Sequence, residues 1–576
     1  MNYLSKIGLT LLIVAVAAGT VQAQRRSKKK NTTSTSKKPT AKPAAAPREN
    51  MGDTSAPRTV TVTSAFKPFL KNAAKLNFSA ATPVIDSSKI PVVYNVPSQN
   101  LFYSYQPVAI KPLALAVDSG YQWDNHQYIK LGAGNFSSYF GEAGFSFGDG
   151  KHNITNLKGN FLTTTGHNFA QQASRWGIDA LSIINSNDGH EWTAHAFYNT
   201  QTQYEYGFQP STLGLTKENL ERAYNTVGID LGMHNKMANS FGITYRPQLS
   251  FIRFADNREN SNNDLVIKLP VTKSFGKIYS FDLGLTADMT SGSVYIPGVG
   301  SSNYNNNLYY ITPAINFKTP NVKLHAGLQP TWDNKNFSML PDFTAEGRIS
   351  DAGFSLEAGW VGYFQKNTYR TVAGYNPWVS TNILGLANTR FKEQYAGIKG
   401  TPGDHFTFAG RVSLLQIDNQ PLFVNNTSDG RTFDVINEPN MKAFRVHGEV
   451  GYTEQEKFSF LAAATYTNYH SLSTQAQPWG LLPLEVTGTL KWKLLKDLQL
   501  RADVFAWDGA AYREKTGEAR KADPAADLNF GAEFTILPKL NLWLQMNNLL
   551  NSRYQRWNQY EVLGFNVLGG IVYSFK

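Results

Sequence analysis

The C-terminal half of the chain alternates apolar and polar residues with a period of two. In its last stretch, Phe565, Val567, Ile571, Tyr573 and Phe575 fall on one side. Asn566, Gly570, Ser574 and Lys576 fall on the other. Leu484, Val486, Gly488, Leu490, Trp492 and Leu494 likewise oppose Glu485, Thr487, Thr489, Lys491 and Lys493. After Lys496-Asp497, Leu498, Leu500, Ala502, Val504 and Ala506 oppose Gln499, Arg501 and Asp503. Leu528, Phe530, Ala532, Phe534 and Ile536 then oppose Asn529, Gly531, Glu533 and Thr535, and Pro538-Lys539 turns the chain. Leu540, Leu542, Leu544 and Met546 follow against Asn541, Gln545 and Asn547. Successive side chains of a strand point to opposite faces, so this pattern predicts consecutive two-faced strands.

The polar face decides between two architectures. In a soluble sandwich Glu485, Lys491, Lys493, Arg501, Asp503 and Glu533 would enter an apolar core, where unpaired charge is costly. In a wide barrel they face a wet lumen while the apolar face meets lipid. The predicted fold is therefore all-β, a transmembrane antiparallel barrel. The closing Ile571, Tyr573 and Phe575 read as its C-terminal insertion signal. Mean hydropathy is −0.34, and the mature chain holds no apolar run long enough for a transmembrane helix. Strands of about ten alternating residues leave only a weak hydropathy signal.

Short turns are predicted near Asp149-Gly150-Lys151, Asn187–His190, Asn235–Asn239, Phe275-Gly276-Lys277, Thr319-Pro320-Asn321, Gly347–Ala352, Thr401–Asp404, Thr453–Glu456, Leu495–Asp497 and Leu537–Lys539. Ten turns pair twenty strands; a first strand from about residue 127 and the last one bring the count to about 22, within 20–24. Longer polar connections are expected at Gly207–Arg222, Gly292–Asn306, Gln365–Thr389, Asp418–Glu438, Ser471–Leu482 and Asp508–Ala525. They are rich in Asn, Ser, Gly and Tyr, as in Ser301–Asn307, and read as solvated loops. Short turns then mark the periplasmic rim and long loops the extracellular one.

The N-terminal part reads differently. Residues 1–23 carry a basic flank at Lys6, an apolar core over Ile7–Ala18 and a small-residue site at Val21-Gln22-Ala23, the pattern of a secretory signal peptide. Residues 24–58 hold ten Lys/Arg against Glu49 and Asp53. Such a low-complexity segment cannot bury enough apolar surface to fold and is expected to be a disordered periplasmic tail. Most of the formal net charge of +12 belongs to it. Residues 59–126 form a Pro-rich extended segment suited to lining the lumen or docking a partner. The barrel is expected over 127–576. There is no cysteine, so neither a disulfide framework nor a lipid anchor is expected.

The segment Asn548-Leu549-Leu550-Asn551, Arg553-Tyr554, Trp557, Tyr560 and Gly564-Phe565-Asn566-Val567, with the closing strand, resembles the end of TonB-dependent outer-membrane receptor barrels. The signal peptide and its Ala-Gln junction resemble those of Bacteroidetes proteins. The resemblance implies a barrel of about 22 strands in the Gram-negative outer membrane and passage of a solute or polymer. It also implies a partner-binding box ahead of a globular plug. Thr59, Val60, Thr61, Val62 and Thr63 look like that box. The stretch that follows, Thr59–Asp118, has six prolines and lacks the pattern expected of a plug.

No G-x-S-x-G, H-E-x-x-H, P-loop or EF-hand pattern is present, and the ten histidines show no ligand spacing. No catalytic residue, cofactor or metal site is expected. The expected partners are outer-membrane lipid and a periplasmic or outer-membrane protein reached through residues 24–118; an exported chain excludes nucleic acid. Two functions follow, a transporter or a non-transporting subunit of an outer-membrane assembly or secretion machine. A diffusion porin needs an open lumen and fits least.

Overall fold

The computed structural model describes residues 127–575, apart from 208–212, 350–352, 382, 384 and 429. The signal peptide, the basic tail, the Pro-rich segment and the box-like Thr59–Thr63 lie outside the described residues. Most of the described chain forms one closed antiparallel sheet, with two small hairpins and two short helices in its connections. Its 23 hydrogen-bonded pieces make 22 strands, because Ile243–Tyr245 and Gln248–Asp256 both pair with Ser261–Phe275 as halves of one strand. The break falls at Arg246-Pro247, where proline has no N–H to give the ladder. The first strand, Gln127–Gly134, closes the ring on the last, Asn566–Phe575, in continuous register from Gln127↔Phe575 to Gly134↔Leu568.

All ten predicted short turns join neighbouring strands on one rim. The sequence dictates them locally. At the first, the Asp149 carboxylate accepts the backbone N–H groups of Lys151, His152 and Asn153 at 2.9, 2.7 and 2.9 Å. Those bonds, chiefly that of Asn153, hold its carboxyl well below the usual range. Gly150 takes the left-handed φ of +69° that the turn needs.

The outward face is apolar along the strands that the pattern singles out, although Val504 and Ala506, read as outward, are buried. Ile571 and Tyr573 are exposed, as are Leu542, Leu544, Phe534, Ile536, Trp492 and Leu494. Outward aromatics gather toward both ends of the strands, for example Trp192 near the short turns and Trp176 and Tyr198 toward the other rim. These are the girdles of a membrane barrel.

The inward face corrects two expectations. It is not uniformly polar: Phe140, Trp543, Leu568 and Val572 form a buried cluster inside the closing seam. Lys130 lies among them, its ammonium 4.4 Å from the Trp543 ring centroid. Gly132 is required there, because a Cβ would stand 2.2 Å from a Trp543 ring carbon. Gly132→Val is expected to cost about 1–3 kcal/mol by overpacking, seen as loss of the folded band at lower temperature in heat-modifiable gel migration. An unchanged transition would mean the indole has room to swing aside.

The second correction concerns loops. Gly292–Asn306 and Asp418–Glu438 are mostly strand, not solvated connection. Tyr279–Ile296 and Gly300–Lys318 stay paired up to Ile296↔Gly300. Phe406–Asn425 and Phe433–Glu454 pair up to Asn425↔Phe433. Their polar composition hides inward residues such as Val294, Tyr304, Phe423 and Phe433, which bury against other loops instead of water. Long connections do occur at Gly207–Arg222, Gln365–Thr389, Ser471–Leu482 and Asp508–Ala525. A further one, residues 548–565, joins Leu540–Asn547 to the last strand.

Candidate functional site: a capped mouth over a charged wall

Among the predicted lumen charges, Arg501, Asp503 and Glu533 have hydrogen-bond partners along the wall. Arg501 donates to Asp503 from Nε at 2.7 Å and from Nη2 at 3.1 Å, and the Thr489 hydroxyl donates to the same carboxylate at 3.0 Å. Lys491 sits opposite Arg501 in register, and Lys493 opposite Gln499. Glu533 accepts from the Asn541 amide at 2.5 Å. Glu485 stands apart, near the long-loop rim, within electrostatic reach of Arg445 and Arg556. Phe575 stacks on Tyr573 and meets Phe145 edge-on across the seam. Further inward pairs were not singled out in the sequence. His195 bridges Asp179 and Asp230 at 2.6 and 3.0 Å. Glu357 pairs with Arg411 and Lys399. Each partner lies on a different strand, so linear spacing gives no sign of them. No group of side chains suited to a metal ion occurs among the described residues.

The other rim is covered by its long loops, one of three candidates that the sequence offers for closing so wide a barrel, beside Thr59–Asp118 and a partner protein. The long loops turn inward and build a core of their own across the mouth. Residues 366–388 enter first. Thr368 caps a short helix, Tyr369–Tyr375, by accepting from the Thr371 N–H, and Asn376-Pro377 ends it. Tyr369, Val372, Ala373, Trp378, Val379 and Ile383 are buried together with Phe423, Phe433, Trp557 and Tyr560. Trp378 stacks on Tyr560 with ring centroids 3.9 Å apart, and its indole N–H donates to the Tyr204 carbonyl at 3.1 Å. Tyr206 meets both rings edge-on.

The family-like C-terminal motif acquires a physical role here. Asn548 and Asn551 adopt left-handed φ of +50° and +49°, which asparagine tolerates better than most residues. The Asn548 amide donates to the Ser552 and Leu563 carbonyls, and Asn551 accepts from the Phe565 N–H. This frame presents the hairpin made by Gln555–Trp557 and Tyr560–Glu561 to the mouth. Its Arg556 lies 4.3 Å over the Trp557 ring and donates to the Tyr375 hydroxyl and the Gly480 carbonyl. The 471–483 loop is tied to the wall by Glu438, which accepts the backbone N–H groups of Ser473, Thr474 and Gln475.

One carboxylate joins the outermost segments. Glu205, with a fully buried side chain, contacts Arg222 Nε at 2.6 Å, Arg431 Nε at 2.9 Å and Arg258 Nη2 at 3.1 Å. Arg222 also donates to the Val379 carbonyl at 2.8 Å and to the Tyr369 hydroxyl at 3.3 Å. The Tyr369 hydroxyl in turn donates to the Asp256 carboxylate at 2.6 Å. Burial, and then the neighbouring Tyr224, push the Tyr369 phenol well above its ordinary range, so it stays a donor. The cap thus combines an apolar core with a buried ionic knot, and its segments come from connections around the whole ring.

No protein-family model matches the chain, and no curated relative does. Solved structures are similar in fold. The FrpB iron transporter from Neisseria meningitidis aligns with TM-score 0.60 and 11% identity, covering 78% of this chain and 81% of that one. The copper transporter OprC aligns with TM-score 0.58 and 12% identity over 78% and 80%. The siderophore receptor PirA from Acinetobacter baumannii aligns with TM-score 0.61 and 11% identity over 78% and 80%. The chain has the 22-stranded outer-membrane barrel fold of these transporters and receptors.

Proposed function

We propose that this protein is an outer-membrane barrel of the TonB-dependent-receptor type. It passes a solute or polymer inward through a mouth that opens on demand. The observation that carries this reading is the packed cap above a charged wall. Even smaller barrels leave an aqueous channel unless something fills them. A diffusion porin needs its mouth open, whereas a conduit that serves one cargo needs it closed between events. The short-turn rim is assigned to the periplasm and the capped rim to the outside. Residues 24–118 would then reach a periplasmic partner, with Thr59–Thr63 as the contact strand. Iron, copper and siderophore appear in the names of the structural neighbours; the cargo class here follows from the wall only as far as polar.

A second reading draws on the same closed mouth: a barrel that passes nothing and serves as a subunit of a larger outer-membrane machine. The chain has no cysteine, so one introduced thiol reports cleanly. Val62→Cys, cross-linked in growing cells, is expected to capture an inner-membrane-anchored energy-coupling protein. Capture of stoichiometric outer-membrane companions alone would replace transport by the subunit reading.

A further inference from the structure

We infer that Glu205 is the latch of the mouth. Its carboxylate is the point at which the cap is fastened to the barrel wall. The knot sits where four separate segments meet. Glu205 follows the strand His190–Tyr204, and Arg222 stands at the start of Glu221–Asn235. Arg258 lies in the connection after Gln248–Asp256, and Arg431 in the connection before Phe433–Glu454. Arg222 carries the tie into the cap itself through the Val379 carbonyl and the Tyr369 hydroxyl. Opening the mouth must pull at least one guanidinium off the carboxylate.

Opposite charges hold the knot together, with Glu205 common to all three pairs. Glu205 and Arg222 are wholly buried, while Arg258 and Arg431 keep about a quarter of their side chains exposed. Three guanidiniums surround Glu205, and Asp256 adds a second carboxylate 4.0 Å from Arg222. With Glu205 in place, each arginine has an opposite charge. Remove that charge and three cations face one another in a largely buried site, where Arg222 keeps Asp256 at 4.0 Å but Arg258 and Arg431 lose this carboxylate. Burial together with the neighbouring Arg222 already pulls the Arg258 guanidinium below its ordinary range. A buried charge left without its partner strongly destabilises the arrangement that holds it. Here that arrangement is the closed mouth; the apolar girdle of the barrel does not depend on it.

This rests on reading the barrel as a gated conduit, yet its test needs no cargo. The full chain is purified and studied in planar bilayers. The wild-type protein is expected to be nearly silent, and Glu205→Gln to raise open probability at least about tenfold, with the folded gel band retained. Arg431→Gln, at the more exposed side, serves if Glu205→Gln fails to insert; it is expected to open the mouth more weakly. A lock comes from Val379 and Phe433, whose backbones form an isolated bridge. Bridged residues sit on the order of 5 Å apart, within disulfide range. With Glu205 intact, Val379→Cys and Phe433→Cys together should stay silent in both redox states, and with Glu205→Gln added should conduct when reduced and fall silent when oxidised. Wild-type conductance in both Glu205→Gln and Arg431→Gln would overturn the latch. So would conduction that oxidation leaves unchanged. Failure of the Val62→Cys cross-link would bear on energy coupling alone and leave these outcomes standing.

Discussion

Trp378→Ala is expected to unfold the cap while leaving the barrel intact. Trp378 is 2% exposed and sits between Tyr206 and Tyr560, with its N–H bonded to Tyr204. Truncating a buried tryptophan to alanine costs about 3–5 kcal/mol. The cap is a small cooperative unit set on the ring, so that loss falls on it rather than on the whole barrel. Limited proteolysis should begin within residues 366–388, and uptake of large hydrophilic antibiotics should rise in cells. Protection and permeability at wild-type levels would show that the stack is not what closes the mouth. Trp378→Phe keeps most of the packing and should restore most of the seal.

Ile229→Arg is expected to block membrane insertion. Ile229 is 48% exposed on the outward face of Glu221–Asn235. In register it lies between the level of Tyr198, which pairs with Val227, and that of Trp192, which pairs with Met233. Those two rings mark the girdles, so Ile229 falls near the middle of the hydrocarbon. Arginine at the midplane of a barrel's lipid face costs roughly 2–4 kcal/mol. Little folded protein should reach the outer-membrane fraction, and Ile229→Leu should behave as wild type. Normal yield of Ile229→Arg would mean that the outward face was assigned wrongly. Leu500, also outward, is a poorer probe because its strand begins at Leu498, beside a short turn where the penalty fades.

The barrel was legible because one rule governs it. Alternation fixes which residues meet lipid, and turn residues fix where strands reverse, so the strand count and all ten turns could be read from the chain. The rule says nothing about what lies inward. Trp543 was passed over because it interrupts a polar face, although at the seam it fills the space left by Gly132 and supports Lys130. The contacts of the cap were illegible for a different reason. Glu205, Arg222, Arg258 and Arg431 are spread over more than two hundred positions, and only closure of the ring brings them together. Composition also misled: Asn-, Ser- and Tyr-rich stretches read as solvated, while Asn306, Asn367 and Asn388 bury their amides in one another and in the backbone. One local signal was present. Tyr369, Val372, Ala373 and Tyr375, followed by Asn376-Pro377-Trp378, are too apolar for a connection meant only to be wetted.

The paired hairpin that ends at Ile296–Gly300 rises beside the cap and exposes Val299 at 78%, whereas the cap residues beside it are hidden. Two kinds of outer surface therefore sit side by side. A side chain added at Gly298 would meet nothing within 4 Å, so on the rim proposed to face outward this tip is free to change in sequence and length under pressure from phages or antibodies. Residues 366–388 face the same pressure but answer to packing constraints of the kind that govern a protein interior. Variation among descendants of this chain should collect at the tip and stop at the edge of the cap, and a foreign epitope displayed on such a cell belongs at Gly298, not above Trp378.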